Sequence, residues 1–258
     1  MSEQRRIELE VEVPGTPEEV WEAIATGPGI TAWFMPADVE PRVGGRIVHR
    51  HEADTETPGT VTAYDRPRRF AYEESGWADG ELAGDLTATE YLVEARAGGT
   101  CVVRLTMSGF GDGEQWDRAI ESFAAGWRQA LLSLRLYMTH FPGEVAAAVA
   151  AGDMVAGPKR HAWEELVRAL GLPDSPAAGD RVTTAADAPP LAGVVERAEE
   201  RMVTLLLDEP ARGIGFVGTG GPGDQVYTFV RAQLFGPDAE TLAAEQQRRW
   251  ADWFAGRR

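Results

Sequence analysis

The longest amphipathic pattern in the chain lies at residues 114–141. Apolar residues recur there every three or four positions, and they are Trp116, Ile120, Phe123, Trp127, Leu131, Leu134, Met138 and Phe141. This spacing predicts one helix with a single apolar face. At ~1.5 Å of rise per residue the helix is roughly 40 Å long, enough to cross a whole sheet. A face this aromatic either packs in a solid core or covers a cavity, and the pattern leaves both alternatives open.

The pattern before this helix has the period of two that is typical of strands. Residues 7–13 alternate apolar with charged side chains, which predicts a strand with one wet face. Thr16 and Pro17, followed by two acids, mark the start of a helix. Further short strands are predicted at 46–51, 59–64, 69–74, 87–95 and 100–108. This order predicts an α+β fold in which an antiparallel sheet curls round the long helix.

The second half of the chain has a pattern of its own. Residues 144–151 are alanine-rich, a helix is predicted at 161–171, two apolar runs follow, and a last helix is predicted at 238–254. The break after Pro142 predicts two domains, residues 1–143 and residues 144–258.

The order helix, strands, helix repeats that of the first half in shorter form, with Trp163 in the place of Trp21. It indicates a degenerate internal repeat that has lost its first strand. An unrelated α+β cap is the alternative.

Composition and charge narrow the classes of molecule that this protein is expected to bind. The 258 residues are 43% hydrophobic and 26% charged, with a formal net charge of −16. So acidic a chain repels nucleic acids and anionic membranes, which leaves small molecules, other proteins or a second copy of the chain as partners. Cys101 is the single cysteine, so no disulfide within the chain and no thiolate metal cluster is expected. The sequence shows no apolar signal core and no membrane span, and we expect a cytoplasmic protein.

Candidate chemical motifs are few. His49 and His51 stand two apart in a predicted strand and share a face, but no third ligand follows at a metal-binding spacing. The glycine-rich segment at 219–223 precedes a strand rather than a helix, which favours a hairpin over a phosphate loop. No nucleophilic serine motif is present. We therefore expect no metal, no cofactor and no catalytic residues.

An ordered set of short motifs resembles one bacterial family. The motifs are the run from Pro17 to Ile24, Ala32-Trp33-Phe34, Gly44-Gly45, Gly59-Thr60-Val61, Arg69 to Tyr72, Gly99-Thr100, Ser108-Gly109-Phe110, and Gly126-Trp127 with Leu131, Leu134 and Tyr137. Residues 5–141 thereby resemble the family related to the activator of Hsp90 ATPase, within the START-like (SRPBCC, polyketide-cyclase-like) superfamily. The resemblance implies a helix-grip fold whose long helix and curved sheet enclose an elongated hydrophobic pocket. It does not imply one activity.

The pocket that the resemblance implies would be lined by alternate strand residues, loop residues and the long helix. The predicted ligand-binding residues are Trp33, Phe34, His49, His51, Phe70, Tyr72, Trp77, Tyr91, Met107, Trp116, Phe123 and Trp127. Trp33, Phe34 and Trp77 lie in predicted loops that would form the mouth of this pocket. The polar members would orient a ligand by hydrogen bonds.

These features predict a binding function. The expected ligand is a small hydrophobic or aromatic molecule, held between the long helix and the sheet without chemistry. One alternative is a cyclase or dehydratase type of enzyme acting on a polyketide-like substrate, in which a tyrosine or histidine moves a proton. The other is a protein-interaction module that modulates a chaperone.

Overall fold

The computed structural model describes residues 5–51, 55–75, 86–221 and 225–257. The chain divides into two compact units, Met1–Glu144 and Val145–Arg258. Each unit is α+β and combines one antiparallel sheet with a long final helix. The predicted fold class is confirmed. No helix in the described part of the chain combines the length and the hydropathy of a membrane span.

The first unit follows the predicted order of elements. Its described elements are β1 (Ile7–Pro14), α1 (Pro17–Ala25), α2 (Gly27–Thr31), β2 (Ala37–Val39), β3 (Arg46–Arg50), β4 (Glu56–Asp65), β5 (Arg69–Ser75), β6 (Leu86–Arg96), β7 (Thr100–Ser108) and α3 (Glu114–His140). The sheet order is β1-β7-β6-β5-β4-β3-β2. The first strand therefore pairs with the last, in a register that runs from Ile7 opposite Met107 to Pro14 opposite Thr100.

Capping explains where the two short helices begin. Thr16 and Glu19 form a reciprocal capping box at the start of α1, with Pro17 in the first turn. Directly after α1, Thr26 caps α2 by accepting a hydrogen bond from Gly29 N. Gly29 is required there because an added Cβ would lie 2.0 Å from the carbonyl oxygen of Glu22.

The long helix α3 is buried unevenly along its length. Its second half packs as predicted, with Leu131, Leu134 and Met138 buried. Between Trp116 and Trp127 none of the side chains is buried. The helix lies beside β1. The first half of α3 is therefore packed less tightly against the rest of the first unit than its apolar spacing predicts.

The second unit repeats the topology of the first. Its described elements are β8 (Ala146–Ala156), α4 (Lys159–Leu170), β9 (Arg181–Thr183), β10 (Ala192–Glu199), β11 (Met202–Glu209), β12 (Gly213–Gly220), β13 (Gln225–Phe235) and α5 (Ala239–Ala255). The sheet order is β8-β13-β12-β11-β10-β9, so the first strand again pairs with the last. The long helix α5 lies beside β8, as α3 lies beside β1.

One expectation about the second unit is wrong. The sequence pattern predicts a repeat that lacks its first strand, and it predicts no strand in the alanine-rich segment. It forms β8, an eleven-residue strand paired with the whole of β13. Alanine favours helix in isolation, but sheet pairing overrides this weak preference.

Candidate functional site

Eight of the predicted site residues come together on one face of the first sheet. We call them the aromatic cluster, which consists of Trp33, Phe34, His49, Phe70, Tyr72, Tyr91, Met107 and Trp127. Neighbouring ring centroids lie between 5.0 Å for Phe34 and Trp127 and 6.4 Å for Trp33 and Tyr91. Rings at these separations are in packing contact.

Strand register places the sheet members of the cluster. Phe70 of β5 lies opposite Tyr91 of β6, and Thr89 of β6 lies opposite both Tyr72 and Met107 of the adjoining strands. Residues directly opposite each other in paired strands share a face, so these side chains point to the same side of the sheet. All of them are buried.

The helix and one loop contribute the other side of the cluster. Trp127 of α3 donates its indole N–H to Met107 Sδ at 3.2 Å. The ring of Phe34 stacks on Trp127 with 23° between the planes and meets the imidazole of His49 edge-on at 5.8 Å. Phe34 is half-buried, whereas the rest of the cluster is buried. The Phe34 ring therefore lies between the solvent and the two rings that it covers.

A polar pair lies inside this aromatic surround. His49 Nδ1 and Glu74 Oε2 are 2.9 Å apart and share a hydrogen bond, and both side chains are 1% exposed. The second oxygen, Glu74 Oε1, has no hydrogen-bond partner among the described residues. Buried polar atoms are nearly always paired, so an unpaired carboxylate oxygen at this depth marks a point of chemical interest.

The two tyrosines beside this pair are held in the protonated form. Burial raises the pKa of Tyr72 well above its ordinary value, and the neighbouring Tyr91 and Glu74 raise it further. Burial also raises the pKa of Tyr91; its hydrogen bond with Tyr72 opposes this shift and Glu74 adds to it. Both phenols therefore act as hydrogen-bonding groups rather than as proton acceptors near neutral pH.

Glu74 is the residue that the sequence analysis missed. Phe70 and Tyr72 were selected by alternation along β5, and the same step of two leads to Glu74. A charged residue near a strand end is usually exposed, so alternation alone does not predict that Glu74 is buried. Glu74 differs from such exposed residues because it pairs with His49, a buried histidine two strands away.

The remaining predicted residues have other surroundings. Trp116 and Phe123 pack on Phe110, with ring centroids 5.5 Å and 6.1 Å apart. His51 is half-buried, and its Nε2 lies 2.7 Å from Thr57 Oγ1. Trp77 lies outside the described residues. Within the described ranges no group of three or more histidine, cysteine, aspartate or glutamate side chains has the arrangement of a metal site.

Several solved structures are similar to this chain. Protein MLL2253 from Mesorhizobium loti is 21% identical, with a TM-score of 0.48 over 53% of this chain and 98% of that chain. The Aha1 dimer from Colwellia psychrerythraea is 20% identical, with a TM-score of 0.44 over 54% and 99%. DynU16, from the dynemicin biosynthetic locus, is 17% identical, with a TM-score of 0.46 over 97% and 95%.

Family membership rests on sequence rather than on these structures. No curated protein matches the chain. Residues 14–139, which lie within the first unit, match the family described as Activator of Hsp90 ATPase homolog 1-like protein. This range contains the ordered motifs that carried the predicted resemblance, from Pro17 to Tyr137. The first unit of the chain thus belongs to the Activator of Hsp90 ATPase homolog 1-like family.

Proposed function

We propose that the first unit binds a small aromatic molecule between α3 and the sheet, without transforming it. The observation that carries the proposal is the buried His49–Glu74 pair inside a surround of aromatic rings. Ligand sites are mostly apolar, with a few placed polar groups that orient the ligand. The aromatic cluster has this composition.

The route to the site passes Phe34. This ring is the half-buried member of the cluster, and it lies on Trp127 and His49. The nearby half of α3 also lacks buried side chains between Trp116 and Trp127. We infer that a ligand ring enters on this side and takes the place of the Phe34 ring. The stacking lost by Phe34 is then replaced by equivalent stacking of the ligand.

Binding without chemistry suits the tyrosines of the site. Because burial raises the pKa of both Tyr72 and Tyr91, neither phenol is a ready proton acceptor. The His49–Glu74 pair is the group that would serve a cyclase or dehydratase type of enzyme. Turnover of a bound compound, followed by mass spectrometry, would establish that alternative.

Tryptophan fluorescence and thermal shift test the proposal together. A panel of flavonoids, polyketides, steroids and fatty acids is added to the full chain, and a ligand at 100 times its dissociation constant raises the stability by ~2.7 kcal/mol. In Trp127→Phe we expect the thermal shift to persist while ligand-induced quenching falls, because the indole next to the ligand is gone. Trp253→Phe is the matched control, since Trp253 packs on Trp250 and Phe254 of α5. A panel without any shift would contradict the proposal.

The family assignment supports a second candidate, a chaperone-modulating interaction. Its test is a direct measurement of Hsp90 binding and of Hsp90 ATPase activity with the full chain present.

The similar Aha1 protein from Colwellia psychrerythraea was solved as a dimer. A homodimer stays a prediction for this chain, and sedimentation velocity at several concentrations tests it.

A further inference from the structure

We propose that Glu74, held in place by His49, accepts a hydrogen bond from a hydroxyl group on the ligand, so that the first unit selects hydroxylated aromatic molecules over their O-methylated counterparts. This inference rests on the proposed function and names the chemical class of its ligand. Three features of this site support it: the unpaired oxygen of Glu74, the hydrogen bond between Tyr72 and Tyr91, and the position of the Phe34 ring.

The unpaired oxygen defines what the ligand must offer. Glu74 Oε2 is engaged by His49 Nδ1 at 2.9 Å, while Oε1 has no partner among the described residues. A carboxylate oxygen accepts hydrogen bonds, and leaving it unpaired in a buried site costs its desolvation free energy. A ligand group that donates to Oε1 recovers this cost. A ligand without a donor in the same position leaves the oxygen unpaired.

The neighbours of Glu74 favour a neutral hydroxyl donor over a cation. Tyr72 and Tyr91 share a side-chain hydrogen bond with each other. The imidazole of His49 already faces the carboxylate. A ligand ammonium would have to lose its water shell inside this surround of aromatic rings, and burying a charge costs more than burying a neutral hydroxyl. A hydroxyl supplies a donor to Glu74 Oε1 without adding a charge.

The position of Phe34 shows how an aromatic ring fits this site. Its ring lies 5.0 Å from the Trp127 ring and 5.8 Å from the His49 ring, so a six-membered ring is already accommodated against both. A ligand ring that replaces it contacts the imidazole that holds Glu74. The proposal places a hydroxyl on the edge of that ring at Glu74 Oε1.

Matched probes test the inference on the unmodified full chain. We would measure the affinities of 2-naphthol, 2-methoxynaphthalene and protonated 2-naphthylmethylamine by calorimetry. Since a hydrogen bond to a charged group contributes roughly 1.5–3 kcal/mol, we expect 2-naphthol to bind about 10–100 times more tightly than 2-methoxynaphthalene. Equal affinities of these two probes would overturn the inference and leave the proposed function intact. Tightest binding of the amine would overturn it in favour of a cation site.

A pair of variants identifies the acceptor. Glu74→Gln keeps the shape of the side chain but replaces the charged acceptor by an amide, and we expect it to lower the preference for 2-naphthol at least several-fold while 2-methoxynaphthalene binds as before. Glu73→Gln is the control, because Glu73 is the adjacent residue of β5 and points to the opposite face. If Glu74→Gln does not fold, the ratio of the affinities of 2-naphthol and 2-methoxynaphthalene on the unmodified chain still tests the inference. Failure of all three probes to bind would contradict the proposed function itself.

Discussion

The side-chain amide of Gln247 forms two hydrogen bonds with the backbone of Ala150. Ala150 N donates to Gln247 Oε1 at 2.9 Å, and Gln247 Nε2 donates to the carbonyl oxygen of Ala150 at 2.7 Å. Ala150 lies in β8, which stands at one end of the second sheet. The amide thus pairs with the strand edge in the way that a neighbouring strand would. Unprotected edges of this kind favour association with other chains.

Gln247→Ala should expose this edge. We expect a loss of about 1–2 kcal/mol in the free energy of unfolding, because two hydrogen bonds are removed from backbone groups. We also expect faster aggregation on heating, measured by light scattering. Arg248→Ala, on the exposed side of the same helix, is the control. Equal aggregation of the two variants would show that Gln247 does not protect the edge.

The same strand shows where prediction from sequence reaches its limit. The long helix α3 was predicted because its apolar spacing is local information, and the capping box of α1 is equally local. The strand β8 was missed because an alanine-rich segment has no period of two to indicate it. Its conformation depends on pairing with β13, a strand about 80 residues later. Nothing within β8 itself encodes that partner.

Replacement of Trp127 and of Trp21 by alanine should cost different amounts of stability. Trp21 is 1% exposed and packs edge-on against Tyr64 and Phe70, so Trp21→Ala should lower the free energy of unfolding by about 3–5 kcal/mol. Trp127 stacks on the half-buried Phe34, which can move into the space. We therefore expect the loss in free energy of unfolding to be smaller for Trp127→Ala than for Trp21→Ala, by about 1 kcal/mol or more.

Urea unfolding of the full chain measures both losses. The difference between them separates the two alternatives for the aromatic face of α3, a solid core or a surface that adapts to a ligand. Equal losses would indicate that the aromatic cluster is as rigidly packed as the surroundings of Trp21.

The candidate site was predicted in part, and the missing part has a physical reason. Alternation along β5 and β6 selected Phe70, Tyr72 and Tyr91, because strand geometry alone decides which residues share a face. The role of Glu74 was not predicted, since its burial depends on His49 two strands away. His49 and Glu74 stand 25 positions apart, a separation that no local period encodes.

The first unit should fold without the second. The boundary after Glu144 separates two units that each have a sheet and a long helix of their own. We expect a fragment of residues 1–143 to unfold cooperatively on heating, with a midpoint that a ligand of the full chain raises. A fragment without a thermal transition would show that the second unit belongs to the same cooperative core.

Stability should fall at alkaline pH in part because two tyrosines of the aromatic cluster are buried. Burial raises the pKa of Tyr72 and Tyr91 in the folded protein, while in the unfolded chain each phenol ionises near its ordinary value of about 10. Above about pH 10 the unfolded state therefore holds fewer protons than the folded state, and stability decreases by up to about 1.4 kcal/mol per pH unit for each tyrosine. Below about pH 10 the contribution of these groups is fully present.

Urea unfolding between about pH 9 and pH 11.5, on the unmodified chain and on Tyr91→Phe, tests whether stability falls as the pH rises. The missing hydroxyl shifts the whole curve of the variant, because Tyr72 loses its hydrogen-bond partner. The slope above about pH 10 is the informative quantity, and we expect it to be shallower in Tyr91→Phe because one of the titrating groups is gone. An unchanged slope would mean that Tyr91 ionises in the folded protein as readily as in the unfolded chain. That result would place the phenol in contact with water and would contradict the buried site from which the ligand class was inferred.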